Sequence, residues 1–331
     1  MHLWGKVKKE WFLVGMGASI ALATVSADWG RAGGVLHLQQ ITQAGIALIF
    51  FLHGLALSPS AIKAGVSNWR LHLCSQSATF IIYPLLWVLF GKLFLHHMPT
   101  ALAFGFCYLF VLPSTISSSV AMTSIGRGNV PGAIFNASLS SVLGVFITPL
   151  LVHLFMGLEG ANMDPLASIL SISKLLLLPM VAGQLLRPLL LRVTERHKKL
   201  VHLVDRFVIL LIVYSAFCDS VVDGIWQKFS VGLLAAALIL CAVVLVFMTS
   251  LIQQIARRCR FDREDEVAAV FCGTKKTLAA GVPMAQVIFG GDPALGMILL
   301  PIILYHPMQI FYCALLANRY GRQAAEDVKK H

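Results

Sequence analysis

Ten apolar runs divide the chain, about as many bilayer spans as 331 residues can hold, the seventh being the shortest. They lie at roughly 11–27, 41–57, 71–91, 101–124, 131–155, 166–186, 207–222, 231–255, 267–289 and 294–317. Lipid offers no partner for backbone N–H and C=O groups, so a spanning segment is either a helix or a strand of a closed barrel. Barrel strands alternate apolar and polar residues. Runs such as Leu175-Leu176-Leu177-Leu178 and Val243-Val244-Leu245-Val246-Phe247 do not alternate, so helices are expected. Hydrophobic residues make up 58% of the 331 and charged residues only 12%, which excludes a disordered chain, a disulfide scaffold and an ordinary cytosolic enzyme. The expected fold class is an all-α polytopic membrane protein.

The net charge of +11 is explained by where the charges fall. With the N-terminus placed inside, 20 of the 26 Lys and Arg lie in inside segments; among them are Lys6, Lys8, Lys9, Lys63, Arg70, Arg127 and the cluster from Arg187 to Arg206. Only Arg31, Lys92 and Lys228 fall outside, and Lys174, Lys275 and Lys276 fall within spans. That is a strong positive-inside bias, and it puts both termini in the cytoplasm of a cell whose plasma (inner) membrane holds the protein. It accounts for the basic balance without nucleic acid and leaves membrane lipids as the surrounding partner. The apolar run after Lys9 resembles a signal peptide at first, but no small-residue cleavage site follows, so a retained first span is expected.

Enzyme and metal signatures are missing. The seven cysteines are scattered with no C-x-x-C pair and read as small helix residues. There is no H-E-x-x-H, G-x-S-x-G, P-loop or dinucleotide fingerprint. Asp219 and Asp223 beside Gly224 read as a solvated loop rather than a metal pair. No cofactor, no metal and no catalytic residue is expected.

Folding the sequence at about residue 160 gives two halves of five spans, 1–160 and 161–331. Five is odd, so the second half enters the membrane from the opposite side, as in inverted-repeat transporters. The fourth and ninth spans correspond, and both are interrupted. Span four carries Pro113-Ser114-Thr115-Ile116-Ser117-Ser118-Ser119, and span nine carries Gly273-Thr274-Lys275-Lys276-Thr277 and then Gly281-Val282-Pro283. Thr148-Pro149 in span five sits where His306-Pro307 sits in span ten. Broken polar segments at matching places in two halves point to a binding site near the midplane.

At these residues the chain resembles the bile acid:sodium symporter family over nearly its whole length, and most of all the divergent branch of its seventh vertebrate member. The resemblance is carried by Phe50-Phe51 with Gly54-Leu55; Pro113 with Ser117-Ser118-Ser119; Ala133-Ile134-Phe135-Asn136; Leu143-Gly144 with Ile147-Thr148-Pro149; Gly183-Gln184; Phe271-Cys272 with Thr274, Lys276-Thr277-Leu278; Gly281-Val282-Pro283-Met284; and Tyr305-His306-Pro307 with Gln309-Ile310. It implies ten helices in two inverted five-helix repeats, with discontinuous crossing helices in spans four and nine. It also implies a panel domain of spans 1, 2, 6 and 7 and a core domain of spans 3–5 and 8–10. Members move bile acids and other organic anions, often with sodium.

The chain departs from the sodium-coupled pattern in span nine. Phe271 stands where those members carry a Glu, Thr274-Lys275-Lys276 occupies the following stretch, and an Asn expected in span four is Val120. No Asp or Glu lies deep inside any span. A second cation 4 Å from an ammonium meets a repulsion of about 4 kcal/mol at an effective dielectric of 20. An ionisable residue within a span costs ~2.5–3.5 kcal/mol on the insertion scale and is functional by default. Lys276 is therefore expected to take the place of a bound cation, with a proton able to leave it. If the segment stays helical, Lys275 points about 100° away.

The other substrate- or ion-binding candidates are Thr115, Ser117, Ser118 and Ser119 through their hydroxyls, Asn136 through an amide that needs a partner in the bilayer, Thr274 and Thr277 at the second break, and His306 with Gln309, three residues apart on span ten. The expected function is a secondary transporter of a small organic anion or amphipathic metabolite, working by alternating access without sodium, either driven by a proton gradient or as a uniporter. Its rival is a non-transporting membrane regulator of ion homeostasis or envelope assembly.

Overall fold

The computed structural model describes residues 11–56, 67–157, 165–224 and 230–330. The repeat boundary expected near residue 160, the inside lysines Lys6, Lys8, Lys9 and Lys63, and the outside Lys228 lie outside the described residues. The described chain is helical, with no strand among the described residues. Thirteen α-helices follow in order: α1 (Trp11–Gly30), α2 (Leu38–Ala56), α3 (Trp69–Ser77), α4 (Tyr83–His97), α5 (Thr100–Val111), α6 (Ser117–Ile125), α7 (Val130–Met156), α8 (Pro165–Arg196), α9 (Lys198–Val222), α10 (Val231–Arg258), α11 (Arg263–Thr274), α12 (Leu278–Phe289) and α13 (Leu295–Lys330).

Among the described residues, seven helices are long and apolar enough to cross a membrane: α2, the joined α3–α4 helix over Trp69–His97, α7, α8, α9, α10 and α13. The three other expected spans are interrupted. The run at 101–124 is two helices, α5 and α6, with Leu112 leaving α5 in an extended conformation. The run at 267–289 is α11 and α12, with Lys275 extended between them. The first run, α1, carries a non-helical Ser26 (φ −132°, ψ 30°) near its end.

Two compact units form. One comprises Met1–Leu57, Leu170–Leu233 and Ala279–Leu300; within it α2 and α8 approach so closely that a Cβ at Gly54 would collide with the Met180 carbonyl, and one at Gly183 with that of Phe51. Small residues let helix backbones pack where lipid gives no hydrophobic drive. The other comprises Ser58–Ile169, Leu234–Leu278 and Pro301–His331 and contains both α5–α6 and α11. Its helix starts are tied together. Asn68 caps α3, Asn129 caps α7 and Asp262 caps α11, while the Asp265 carboxylate accepts from the side chains of both Asn68 and Asn129. Each cap satisfies a backbone N–H that the helix itself leaves open. These bonds fix where α11 starts.

Candidate functional site

The two breaks touch: the Thr277 N–H donates to the Pro113 carbonyl at 3.0 Å. Beside this contact, Lys276 takes three backbone carbonyls. Its Nζ donates to Leu112 O at 2.7 Å, Phe110 O at 2.9 Å and Thr79 O at 3.0 Å, and it lies 4.1 Å from the centre of the Tyr83 ring. An ammonium has three donors, so all are used, and the ring face adds a cation–π contact.

Each acceptor is free for a reason in the sequence. Between α3 and α4 the helix widens into a π-turn at Ala78–Ile82, where the Tyr83 N–H bonds back to Ala78 O. The next donor in that spacing would belong to residue 84, which is a proline and has none, so Thr79 O is released. Phe110 and Leu112 sit at the C-terminal end of α5, where the last carbonyls lack helical partners. The N–H that could have reached back, that of Ser114, bonds to Ser140 Oγ at 2.9 Å, and residue 113 is a proline. A helix C-terminus carries partial negative charge, which favours the ammonium further.

Gln309 holds the backbone of Lys276 from the other side. Its Oε1 accepts from the Lys276 N–H at 2.9 Å and its Nε2 donates to the Lys276 carbonyl at 2.8 Å. That orientation fixes Nε2 as a donor, so His306 Nδ1, 3.0 Å away, accepts from it and carries no proton. Gln309 and His306 are thus brought together as the spacing predicts. The Thr274 carbonyl accepts from Tyr83 Oη at 2.7 Å and from Tyr305 Oη at 3.0 Å.

Hydroxyls finish the end of α11. Ser114 Oγ donates to Cys272 O at 2.6 Å, and Ser119 Oγ to Phe271 O at 2.9 Å. Thr115 Oγ1 lies 2.8 Å from both Ser118 Oγ and Ser119 Oγ. Ser117 is exposed and Thr277 is buried. Asn136 is buried too, but its bonds run to Gly132 O and to Gln76 on α3, and none of them reaches the breaks.

Lys275 departs from expectation. The segment is extended, so the helical rotation that would turn it away from Lys276 does not apply. Both lysines are fully buried, and Lys275 Nζ donates to Ser118 O at 2.9 Å. Thr79, Phe110 and Leu112 were not among the sequence candidates, because they act through carbonyls that any residue possesses. Tyr83 and Tyr305 were also missed, although Tyr305 adjoins His306-Pro307. Elsewhere, Asp219 accepts the Ala32 N–H at 2.7 Å, and no cluster of three metal-ligating side chains occurs among the described residues.

Residues 10–322 match the SBF-like CPA transporter family. The chain belongs to this family. Similar proteins of the family's kind include one from Pseudomonas aeruginosa, 43% identical over 312 residues that cover 94% of this chain and 93% of the relative. The Escherichia coli protein YfeH, which carries the name of a symporter, is 42% identical over 296 residues, 89% of each chain. Sodium/bile acid cotransporter 7 of Danio rerio is 32% identical over 320 residues, covering 96% of this chain and 95% of the relative. The chain is accordingly a polytopic membrane protein of a transporter family, with an apolar lipid environment around its helices.

Proposed function

We propose that the protein is a secondary transporter of a small organic anion or amphipathic metabolite, working by alternating access without sodium. The observation that carries this reading is the seating of Lys276: a fixed ammonium at the contact of two broken helices, enclosed by carbonyl oxygens as a bound cation would be. Unwound backbone at membrane depth is tolerated only where it is buried in protein or lines a cavity, and transporters build their sites at such breaks. Lys276 stands in place of a bound cation, and the hydroxyls of Thr115, Ser117, Ser118 and Ser119, with Thr274, Lys275, Thr277, His306 and Gln309, belong to the surrounding substrate and ion site. Protons are the partner ion.

The architecture in this reading is ten spans in two inverted repeats in the inner membrane, with both termini cytoplasmic. The panel corresponds to the unit holding α1, α2, α8 and α9, and the core to the unit holding α3–α7, α10, α11 and most of α13. Two features support the repeat: both interrupted spans break after a half-helix of 12 residues, and each break is stitched by a side chain from the helix that follows. Counterflow in proteoliposomes tests the function. Preloaded organic anions are expected to drive saturable uptake of the labelled compound, equally in sodium and potassium buffers. Absence of exchange across a broad set of carboxylates and sulfonates would favour the non-transporting regulator.

A further inference from the structure

Far from the breaks, α10 and α13 meet through polar side chains near the charged end of α10. Gln253 Nε2 on α10 donates to Tyr320 Oη on α13 at 2.8 Å, and Tyr320 Oη donates to Glu266 Oε1 at 2.9 Å. Arg257 Nε donates to the same Glu266 oxygen at 3.3 Å, and Arg263 Nη2 donates to the Tyr320 carbonyl. This network is the floor of a cleft of about 240 Å³ lined by Gln253, Arg257, Leu316, Arg319, Tyr320 and Gln323.

The lining holds two arginines and no acid. The acids lie next door: Glu266 and Glu326 open on an adjoining cavity with Arg257 and Arg263. Glu266 is only 14% exposed and already accepts from Arg257 and Tyr320, so its charge is spent on the floor. Arg257 stays 66% exposed after pairing with it. Arg319 is exposed and belongs to none of the ion pairs found among the described residues, which are Arg31–Asp28, His53–Asp205 and Arg257–Glu266. The cleft therefore presents two guanidinium groups to whatever enters it.

Toward the membrane the same faces turn apolar. Val246 lies seven residues before Gln253 and eleven before Arg257, which puts all three within about 20° of one stripe of α10. On α13, Leu315 lies one turn before Arg319. Both Val246 and Leu315 are exposed. At ~1.5 Å per residue the apolar strip reaches about 16 Å from Arg257, into the depth of the acyl chains.

We propose that this cleft binds an anionic phospholipid, with its phosphodiester on Arg257 and Arg319 and its chains along the exposed strip beside Val246 and Leu315. A guanidinium fork matches two phosphate oxygens, and basic pockets between membrane helices take anionic headgroups. The cleft is smaller than the ~300–1,000 Å³ of a metabolite pocket, which suits a headgroup whose chains stay outside. A free phosphate would leave the apolar strip unused. In the topology proposed above, the lipid belongs to the cytoplasmic leaflet. Its occupancy ties α10 to α13, the helix whose Gln309 holds the second break. The site is independent of which cargo the protein moves.

Native mass spectrometry of the full-length protein in detergent counts retained lipid. Phosphatidylglycerol is the probe, with phosphatidylcholine of the same chains and glycerol phosphate as controls. The wild type is expected to hold one phosphatidylglycerol roughly tenfold more tightly than phosphatidylcholine, and to hold no glycerol phosphate. Arg319→Gln alters an exposed side chain, so it should weaken phosphatidylglycerol roughly tenfold without moving the unfolding midpoint. Adding Arg257→Gln should abolish the preference. Arg192→Gln with Arg196→Gln removes the same charge from exposed positions on α8 and should change binding less than about twofold at about 0.15 M salt, where distant charges are screened. No preference in the wild type, or one that survives in the Arg257/Arg319 double variant, overturns the site. Equal loss in the α8 pair would reduce it to the general field of the basic surface, and tight binding of glycerol phosphate would make it a site for free phosphate; either result overturns the lipid assignment.

Discussion

The break after α5 and the break after α11 have the same build and opposite chemistry. Each follows a half-helix of 12 residues, and each has orphaned backbone groups secured by the next long helix. At the first, Thr148 on α7 donates to Val111 O at 2.8 Å; at the second, Gln309 on α13 holds both polar groups of the Lys276 peptide. The first break contains no charge and presents carbonyls. The second contains two ammonium groups and consumes them. An unwound segment can therefore be stabilised from within the fold when a matching segment supplies the missing partners, and here one break is the solvent of the other.

The largest effect expected from disturbing this match is that of Lys276→Ala. It leaves the carbonyls of Thr79, Phe110 and Leu112 unpaired in a dry site while the bulge and the prolines that freed them stay in place. Removing one partner of a buried polar set is more harmful than replacing the whole set, so the loss should be roughly 3 kcal/mol, with transport abolished. Membrane insertion should survive, because α11–α12 becomes more apolar. Lys276→Arg keeps the charge but presents a planar fork to three converging carbonyls, and it should also fail to transport. Unfolding of purified protein in detergent, together with counterflow, checks both. Wild-type behaviour of Lys276→Ala would mean that the first break does not depend on the second.

A smaller pair of substitutions tests the stitching itself. Gln309→Leu orphans an N–H and a C=O and should cost about 2 kcal/mol, whereas Thr148→Val orphans one carbonyl and should cost about 1 kcal/mol. Unfolding midpoints of the two variants side by side give the ratio. Equal losses would show that the second break draws no more support from α13 than the first draws from α7.

The breaks were legible in the sequence because Gly, Pro, Ser and Lys stand out inside apolar runs, and Lys276 and Gln309 were legible with them. The partners of Lys276 were not. A carbonyl leaves no mark in a sequence; only its cause does, and the causes here are Pro84 five residues after Thr79 and Pro113 just beyond α5. The disposition of Lys275 depended on whether residues 275–277 stay helical, which local propensity does not decide, because the winding is set by contacts with Pro113 and Gln309. Asn136 illustrates the converse: a buried amide needs a partner, and the sequence could not say that the partner is Gln76 rather than the break. The seven uninterrupted helices followed from apolar length alone.

The smallest expected effect is that of sodium, and its size is zero. A sodium ion entering this contact would need oxygen ligands, and the carbonyls best placed to provide them, those of Thr79, Phe110 and Leu112, already hold the Lys276 ammonium. At the end of α11, Phe271 O, Cys272 O and Thr274 O already accept from Ser119, Ser114 and the two tyrosines. The cation would also sit beside two fixed ammonium groups, with a repulsion of about 4 kcal/mol from each at 4 Å and an effective dielectric of 20. Replacing sodium with potassium at constant ionic strength should therefore leave both the unfolding midpoint and the counterflow rate unchanged. In Lys276→Ala the same carbonyls are vacated, so a sodium-specific rise in midpoint that appears only in that variant would sharpen the contrast between the breaks. A sodium-specific rise in the wild type would break it, because it would require acceptors that the second break has not already taken.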